Sequence, residues 1–140
     1  MPVLFMNAAR EKFHKSERLC SQKFIGSLFE KGNVLYSDLF RVVWDISPVS
    51  IPYPAQIAFS IPKKKFRNAV TRNLLRRRMR EAYRKNKYTL YDLLIKENIQ
   101  IIFIVIYRKD TVSDFQTIEK AMKEIFDKLR VLTREIRKKC

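Results

Sequence analysis

The most informative stretch of the sequence is Asn68-Ala-Val-Thr-Arg-Asn-Leu-Leu-Arg-Arg-Arg-Met-Arg-Glu-Ala-Tyr-Arg84. Because Asn68 is a favourable N-cap residue, the pattern predicts a helix from about Ala69 to about Lys85. At about 100° per residue, one side of this helix is mostly apolar, and we expect that side to pack on a sheet. This apolar stripe consists of Thr71, Leu75, Met79, Ala82 and Tyr83.

Arginines follow a neighbouring stripe of the same helix at intervals of four residues. Like charges at this spacing repel one another by roughly 0.2–0.5 kcal/mol per pair. The arrangement becomes favourable opposite regularly spaced phosphates, which planar guanidinium groups bind bidentately. The arginine stripe consists of Arg72, Arg76, Arg80 and Arg84, with Asn73 and Arg77 beside it. Only Arg78 falls at the edge of the apolar stripe.

Two other interpretations of a basic amphipathic helix are a solvated charged face and a helix that binds a membrane surface or calmodulin. Only Glu81 offsets the arginines, which argues against the first. The apolar stripe is needed to cover the sheet, which argues against the second. Lys63, Lys64 and Lys65 precede the helix, and its N-terminal end adds unpaired backbone N–H groups that favour an anion. We therefore predict a surface that binds nucleic-acid phosphates.

The composition points to the same class of partner. The chain has 140 residues, with 30 Lys and Arg against 14 Asp and Glu, and its formal net charge is +16. A surface this positive repels itself and is tolerated most readily when the partner is a polyanion. The apolar fraction suits one globular domain, which we expect over residues 16–140 after a loose N-terminal arm over residues 1–15.

The residue inventory excludes several kinds of site. Two glycines are too few for glycine-rich nucleotide loops, and Cys20 and Cys140 with the single His14 cannot form a zinc site or a secreted disulfide framework. The aspartates show no clustered metal-ligand spacing, which argues against a nuclease that acts without RNA. No signal peptide or membrane span is evident. We therefore expect a cytoplasmic protein.

The rest of the chain predicts a helix and a small sheet. Apolar residues at helical spacing follow Ser21, a plausible N-cap, and they predict a helix that ends at Gly32 in the C-cap position. Alternating residues predict strands over 40–46 and 57–61, separated by a loop with three prolines. A further short strand around 34–36 is an option. The strands present one apolar face for the later helices, made of Phe40, Val42, Trp44, Ile57, Phe59 and Ile61.

The C-terminal third predicts one more strand and one more helix. The segment 99–107 is apolar on both faces, as in a central strand that is covered on each side. Ser113, followed three residues later by Gln116, is a capping-box signature for the last helix. The predicted order is therefore helix, two or three strands, helix, strand and helix.

The stretch from Ser60 to Tyr83 resembles the signature of the protein subunit of bacterial ribonuclease P. A strand leads into paired lysines, then Asn-Ala-Val-x-Arg-Asn, then a basic helix ending in Arg-Glu-Ala-Tyr. The resemblance extends to the first helix, which ends Phe29-Glu-Lys-Gly32, and to the last strand and helix. It implies a two-layer α/β fold of order α-β-β-β-α-β-α, a small sheet packed with helices. It also implies a left-handed crossover, as in the second domain of a small-subunit ribosomal protein.

The resemblance further implies a function, in which a large RNA with bound Mg²⁺ catalyses removal of the 5′ leader of precursor tRNA and the protein assists. It implies one monomeric protein per catalytic RNA, contacted through the basic helix and its adjoining loop. By position, the RNA-contacting residues are Lys63, Lys64, Lys65, Asn68, Arg72, Asn73, Arg76, Arg77, Arg80 and Arg84. The family's Arg-Asn-Arg is Arg72-Asn73-Leu74 here, and Arg77 or Arg78 is a candidate replacement for the third arginine.

A cleft between the first helix and the open face of the sheet holds the single-stranded leader in this family. The implied cleft residues are Phe29, Arg41, Val43, Ala58 and Ser60. Some members have aromatic residues where Ile25 and Val43 stand here, so we expect weaker base stacking and a phosphate contact from Arg41. The alternatives are a core role for Phe29 and, for the whole chain, a ribosomal or other structural RNA-binding protein with no role in cleavage.

Overall fold

The computed structural model of the chain describes the backbone of residues 13–139 and the side chains of residues 13–136. A 3-10 turn at Lys15–Glu17 precedes the helices and strands. In chain order these are α1 (Gln22–Lys31), β1 (Asn33–Tyr36), β2 (Phe40–Ile46), β3 (Ala55–Ser60), α2 (Ala69–Lys96), β4 (Ile101–Tyr107) and α3 (Phe115–Lys139). The predicted order α-β-β-β-α-β-α is confirmed, including the short strand β1.

The four strands form one mixed sheet in the order β1-β2-β4-β3. The β1–β2 and β2–β4 pairs are antiparallel, whereas β3 and β4 are parallel and α2 supplies the crossover between them. The wholly apolar β4 lies between two neighbours, which confirms it as a central strand. The left-handedness of the crossover remains an expectation from the resemblance.

Helices α2 and α3 cover one face of the sheet, here called the front face. The apolar set predicted from β2 and β3 is confirmed in this core, with Phe59 partly buried at its margin. Tyr83 of α2 is fully buried, and its ring centroid lies 6.1 Å from that of Phe103 on β4 and 5.7 Å from that of Phe126 on α3. Burial of large side chains such as these contributes about 1.5–3 kcal/mol each and holds the two helices on the sheet.

Helix α1 covers part of the opposite face, here called the reverse face. A second, smaller apolar cluster lies beneath it: Leu19, Leu28, Val43, Ile102 and Ile104. Gly32 stands at the predicted C-cap of α1, but its φ of −71° is not left-handed. Its small size serves close approach instead, because a Cβ there would lie 2.6 Å from the carbonyl oxygen of Leu28 and 2.8 Å from Cγ1 of Val43.

Helix α2 is longer than predicted, since it ends at Lys96 rather than near Lys85. The polar residues after Lys85 concealed its continuation, although Leu90 and Leu94 carry the apolar stripe onward into the front core. The chain leaves the helix at Asn98, whose φ of 56° is left-handed. Despite this length, none of the helices in the described part of the chain has an apolar stretch able to cross a bilayer.

The predicted loose arm over residues 1–15 is corrected at its C-terminal end, while residues 1–12 lie outside the described residues. The ring of Phe13 packs 5.6 Å from Tyr83 and 6.1 Å from Phe59, centroid to centroid. His14 stacks on Tyr53 at 5.4 Å. Residues 13–15 therefore belong to the folded domain, because the edge of the front core offers these aromatic rings a place to pack.

The last helix begins one residue later than its capping-box signature predicted. Asp114 accepts the backbone N–H of Thr117 at 2.8 Å through Oδ1. Hydrogen bonds from the side chain and the backbone of Thr117 lower the pKa of the Asp114 carboxyl. Ser113 is instead engaged by Tyr107, whose hydroxyl donates to Ser113 Oγ at 2.8 Å and accepts the Ser113 N–H at 3.0 Å. Asp114 is therefore the N-cap of α3.

Candidate nucleic-acid interface

The loop before α2 presents three consecutive lysines on the surface. Lys63, Lys64 and Lys65 are exposed, whereas Phe66 is buried and packs 5.7 Å from the Tyr107 ring, centroid to centroid. The Nζ of Lys65 donates to the backbone carbonyl of Arg108. Phe66 thus anchors a short loop whose cations project outward.

The N-terminus of α2 is capped as the sequence predicted. Asn68 accepts the backbone N–H of Val70 at 2.8 Å through Oδ1. Arg72 folds back from the first turn of α2, and its Nη1 donates to the carbonyls of Phe66 and Arg67 at 2.8 and 2.9 Å. Arg72 therefore joins the lysine loop to the helix, and part of its hydrogen-bonding capacity is used within the protein.

The arginine stripe is less exposed than the helical wheel predicted. Asn73 and Arg77 are exposed, but Arg76, Arg80 and Arg84 are half-buried. Arg76 donates from Nη1 to Oδ1 of Asn73 at 3.1 Å. The expectation of a fully solvent-facing stripe is thus corrected: part of each of these side chains is buried, and burial lowers the pKa of Arg80.

Two further arginines of α2 have partners within the protein. Nη2 of Arg84 lies 2.6 Å from Oε1 of Glu81, and this hydrogen-bonded guanidinium lowers the pKa of the Glu81 carboxyl. Arg78 donates from Nη1 to the carbonyl of Ser113 at 2.7 Å. This contact supports the prediction that Arg78 is set apart from the arginine stripe. Leu74, which stands where the family has an arginine, is half-buried.

The structure adds cations that the sequence analysis missed. Arg108 and Lys109 directly follow β4, and the Lys65 contact brings them beside the lysine loop. The guanidinium of Arg108 lies 5.0 Å from the ring centroid of Tyr36 and donates to the carbonyl of Ser37 at 2.6 Å. Two cations immediately after a wholly apolar strand were the signal available in the sequence. We call the exposed cations of residues 63–77 and 108–109, together with the half-buried Arg72, Arg76 and Arg80, the basic surface.

The predicted cleft residues of the sheet fall into two adjacent rows on its reverse face. Arg41 and Ser60 are both opposite Ile106 of β4, while Val43 and Ala58 are both opposite Ile104. Arg41, Ala58 and Ser60 are half-buried. The Nε of Arg41 is buried and has no hydrogen-bond partner among the described residues. The structure thus brings together three of the four predicted sheet residues on an accessible floor.

Val43 is the exception, because its side chain is 1% exposed. The end of α1 closes over it at Gly32, and Val43 packs in the small reverse-face cluster. Its predicted place on the cleft surface is therefore corrected to a supporting place beneath α1.

Phe29 lies on α1, and 52% of its surface is exposed. The alternative of a core role for Phe29 is thus wrong in this structure, since Leu28 beside it takes the buried position. Phe24 and Ile25 are half-buried against the reverse-face cluster. Phe29 is therefore the aromatic ring that α1 leaves open to a ligand.

Among residues 13–136, no three His, Cys, Asp or Glu side chains come close enough together to hold a metal ion.

The chain was compared with known proteins. The family model described as Ribonuclease P matches residues 13–130. The chain belongs to the ribonuclease P protein family. A ribonuclease P protein component from Porphyromonas gingivalis is 36% identical over 110 residues, which cover 79% of this chain and 80% of that protein. Another from Chlorobium phaeobacteroides is 28% identical over 94% of each chain.

Solved structures of ribonuclease P proteins have the same fold. The protein from Thermotoga maritima matches with a TM-score of 0.64 at 23% identity, over 80% of this chain and 96% of that one. The protein from Staphylococcus aureus matches with a TM-score of 0.63 at 21% identity, over 81% and 94%. The resemblance recognised in the sequence between Ser60 and Tyr83 is confirmed.

Proposed function

We propose that this chain is the protein subunit of a ribonucleoprotein ribonuclease P and assists in removing the 5′ leader from precursor tRNA. The observation that carries the proposal is the basic surface, which the Arg72 and Lys65 contacts make continuous from the lysine loop to the end of β4. Membership of the ribonuclease P protein family supports it. We further propose that the protein works as a monomer, one per catalytic RNA, in the cytoplasm.

The basic surface serves to bind the catalytic RNA. Exposed lysines and guanidinium groups neutralise backbone phosphates and release counterions, which supplies affinity without base specificity. Arg77, Lys63 and Lys64 are exposed and can reach phosphates, and the exposed N-terminal turn of α2 adds backbone N–H groups. Arg108 and Lys109 extend the same contact beyond the residues implied by the family signature.

The reverse-face cleft serves to hold the leader. A single-stranded nucleic acid is bound by stacking of bases on aromatic rings and by cations that follow its backbone. Phe29 offers the ring, and Arg41 offers a guanidinium whose Nε has no hydrogen-bond partner among the described residues. Ser60 adds a hydroxyl in the same row as Arg41.

Catalysis in this proposal belongs to the RNA subunit, whose bound Mg²⁺ supplies the activated water and the stabilisation of the leaving group. The residues of this chain bind the catalytic RNA and orient the leader. The basic surface fixes the protein on the catalytic RNA, and the cleft holds the leader so that the scissile bond stays in register with the RNA active site.

The test is reconstitution of cleavage. We expect the purified protein alone to leave precursor tRNA uncut, and we expect addition of the cognate catalytic RNA and Mg²⁺ to give mature 5′ ends. Stimulation by the protein should be larger for precursors with a leader of several nucleotides than for those with one. Cleavage by RNA-free protein would support a protein nuclease, and RNA binding without stimulation would support a structural RNA-binding protein.

A further inference from the structure

Tyr36 is an exposed aromatic residue on the edge strand β1. Its neighbour Leu35 is buried in the front core, and because side chains alternate along a strand, Tyr36 points to the reverse face. The side chain of Tyr36 is 52% exposed, as much as that of Phe29. The exposed half of the ring adds nothing to the core and is free to contact a ligand.

Three cations lie beside Tyr36. The guanidinium carbon of Arg108 is 5.0 Å from the ring centroid, and Nζ of Lys128 donates to the Tyr36 carbonyl at 2.6 Å. Arg41 is directly opposite on β2, at the place where Cβ atoms of a pair are about 4.5–5.5 Å apart. Among the described residues, neither arginine forms an ion pair with a carboxylate. An exposed ring beside cations without counter-charges suits a nucleotide, which offers a base for stacking and a phosphate for a guanidinium.

Arg108 is held over the ring by the turn between β1 and β2. Its Nη1 donates to the carbonyl of Ser37 at 2.6 Å, and its backbone N–H donates to the carbonyl of Leu39 at 2.8 Å. Its own carbonyl accepts from Nζ of Lys65. Because a guanidinium has five N–H donors, the exposed Arg108 keeps donors for a phosphate. The site is therefore formed before a ligand arrives.

We propose that Tyr36 and Arg108 bind one nucleotide of the 5′ leader, with its base stacked on the exposed side of the Tyr36 ring and its phosphate on Arg108. This proposal rests on the proposed function and extends the leader site from Phe29 and Arg41 to the edge of the sheet. Stacking tolerates any base, so the site detects the presence of a nucleotide rather than its identity. It makes Tyr36 a residue that determines specificity for precursors with leaders long enough to reach β1.

The first experiment uses the RNA-free protein and two fluorescent single-stranded probes. One is a hexamer of adenosine nucleotides, and the other is an abasic hexamer with the same number of phosphates. Fluorescence anisotropy measures the affinity of the parent, Tyr36→Leu and Tyr36→Phe for each probe, in salt high enough to weaken binding of the abasic probe. The Leu variant keeps apolar bulk without a ring, whereas the Phe variant keeps the ring.

The two probes separate stacking from charge. We expect Tyr36→Leu to bind the adenosine hexamer about five- to hundredfold more weakly, because one base loses its stacking partner, and to bind the abasic hexamer as the parent does. Tyr36→Phe should bind both probes like the parent. Equal losses for the two probes, or equal losses in the Phe and Leu variants, would leave Tyr36 with a structural role and overturn the proposal. Full retention of adenosine binding by Tyr36→Leu also overturns it.

Arg108 is tested through the phosphate. Arg108→Gln should weaken binding of both probes and make the slope of log affinity against log salt shallower by about 0.7, the value for one phosphate of a single strand. Circular dichroism checks that this variant is folded, since Arg108 also holds the turn through Ser37. Val34→Ala, on another exposed side chain of β1, is the matched control and should change neither affinity. A folded Arg108→Gln variant with the parental slope overturns the phosphate contact.

Precursor tRNAs then test whether the bound nucleotide belongs to the leader. In the reconstituted enzyme, Tyr36→Leu should weaken binding of a precursor with a long leader and leave binding of a precursor with a single leader nucleotide unchanged. If the adenosine hexamer loses affinity but the precursors bind equally well at every leader length, the assignment to the leader is overturned. Because the hexamer titration needs neither the catalytic RNA nor cleavage, its result does not depend on whether the proposed function holds.

Discussion

Arg41 on β2 and Ser60 on β3 lie opposite the same residue of the central strand, Ile106, although they belong to opposite sides of β4. Tyr36 on β1 continues this row through its pairing with Arg41. In the adjacent row, Val43 is covered by the end of α1, whereas Ala58 is only half-buried. Register therefore places Arg41 and Ser60 in one row of the reverse face, and we propose that this row and the neighbouring Ala58 form the floor of the cleft.

The exposure of Phe29 leads to a prediction about the leader. Replacing Phe29 by Ala should weaken binding of leader-bearing precursor to the reconstituted enzyme by about 1–3 kcal/mol, because a stacking platform is lost. Binding of mature tRNA should not change. The protein's own stability should change little, since about half of this ring already contacts solvent. Fluorescence titration with both tRNAs measures the difference.

A matched control for this variant is Val131→Ala, on an exposed side chain of α3. It should leave both affinities as they are. An equal loss of affinity for precursor and mature tRNA in the Phe29 variant would remove this residue from the leader cleft.

The basic surface leads to a prediction about salt dependence. If Arg76 and Arg77 each neutralise one RNA phosphate, replacement by Gln should reduce the slope of log affinity against log salt by about 0.7–0.9 per residue. Arg72→Gln should reduce the slope and also lower the melting temperature, because Arg72 holds the lysine loop through two carbonyls. Arg78→Gln is the control: it should alter stability through the lost Ser113 contact and leave the slope unchanged. A slope that changes for Arg78→Gln alone would mean that the faces of α2 are wrongly assigned.

Gly26 within α1 and Gly32 at its C-cap form a natural pair for a test of packing. Gly32→Ala should destabilise the protein by about 1–3 kcal/mol, because its Cβ would meet backbone at Leu28 and the side chain of Val43. Gly26→Ala should stabilise it by about 0.5–1 kcal/mol, since no atom lies within 4 Å of a Cβ there and Ala favours helix. Urea unfolding of both variants measures the difference, and effects of the same sign would contradict the close approach of α1 to the sheet.

The N-cap of α3 leads to a prediction with a pH dependence. Asp114→Ala should lower the melting temperature by about 2–6 °C at neutral pH. The hydrogen bonds from Thr117 lower the folded-state pKa of Asp114, so its contribution is present above the unfolded pKa and is lost as pH falls through the folded value. The difference between parent and variant should therefore vanish in strong acid. Ser113→Ala, tested alongside, should leave this acid-dependent difference intact, and a larger effect of Ser113→Ala at neutral pH would reinstate the capping-box interpretation.

Local patterns in the sequence determined the element order, the N-caps at Ser21 and Asn68, and the apolar front face. Each of these depends on spacing within a few residues, on periods of 3.6 and 2 that local backbone geometry imposes. The family signature from Ser60 to Tyr83 could also be recognised from the sequence alone, because its residues are consecutive in the chain. The predicted end of α2 near Lys85 was wrong because Lys87, taken alone, indicates a polar helix end. Its burial depends on Glu17, which is remote in the sequence.

Only the tertiary structure determined which residues from remote segments are neighbours. Arg41 and Ser60 share a row because two strands distant in sequence pair with β4 in a fixed register. Val43 is covered because α1 closes on it, and Lys87 is buried because Glu17, 70 residues earlier, supplies its counter-charge. Exposure and charge pairing are properties of contacts between such segments, and no local period encodes them.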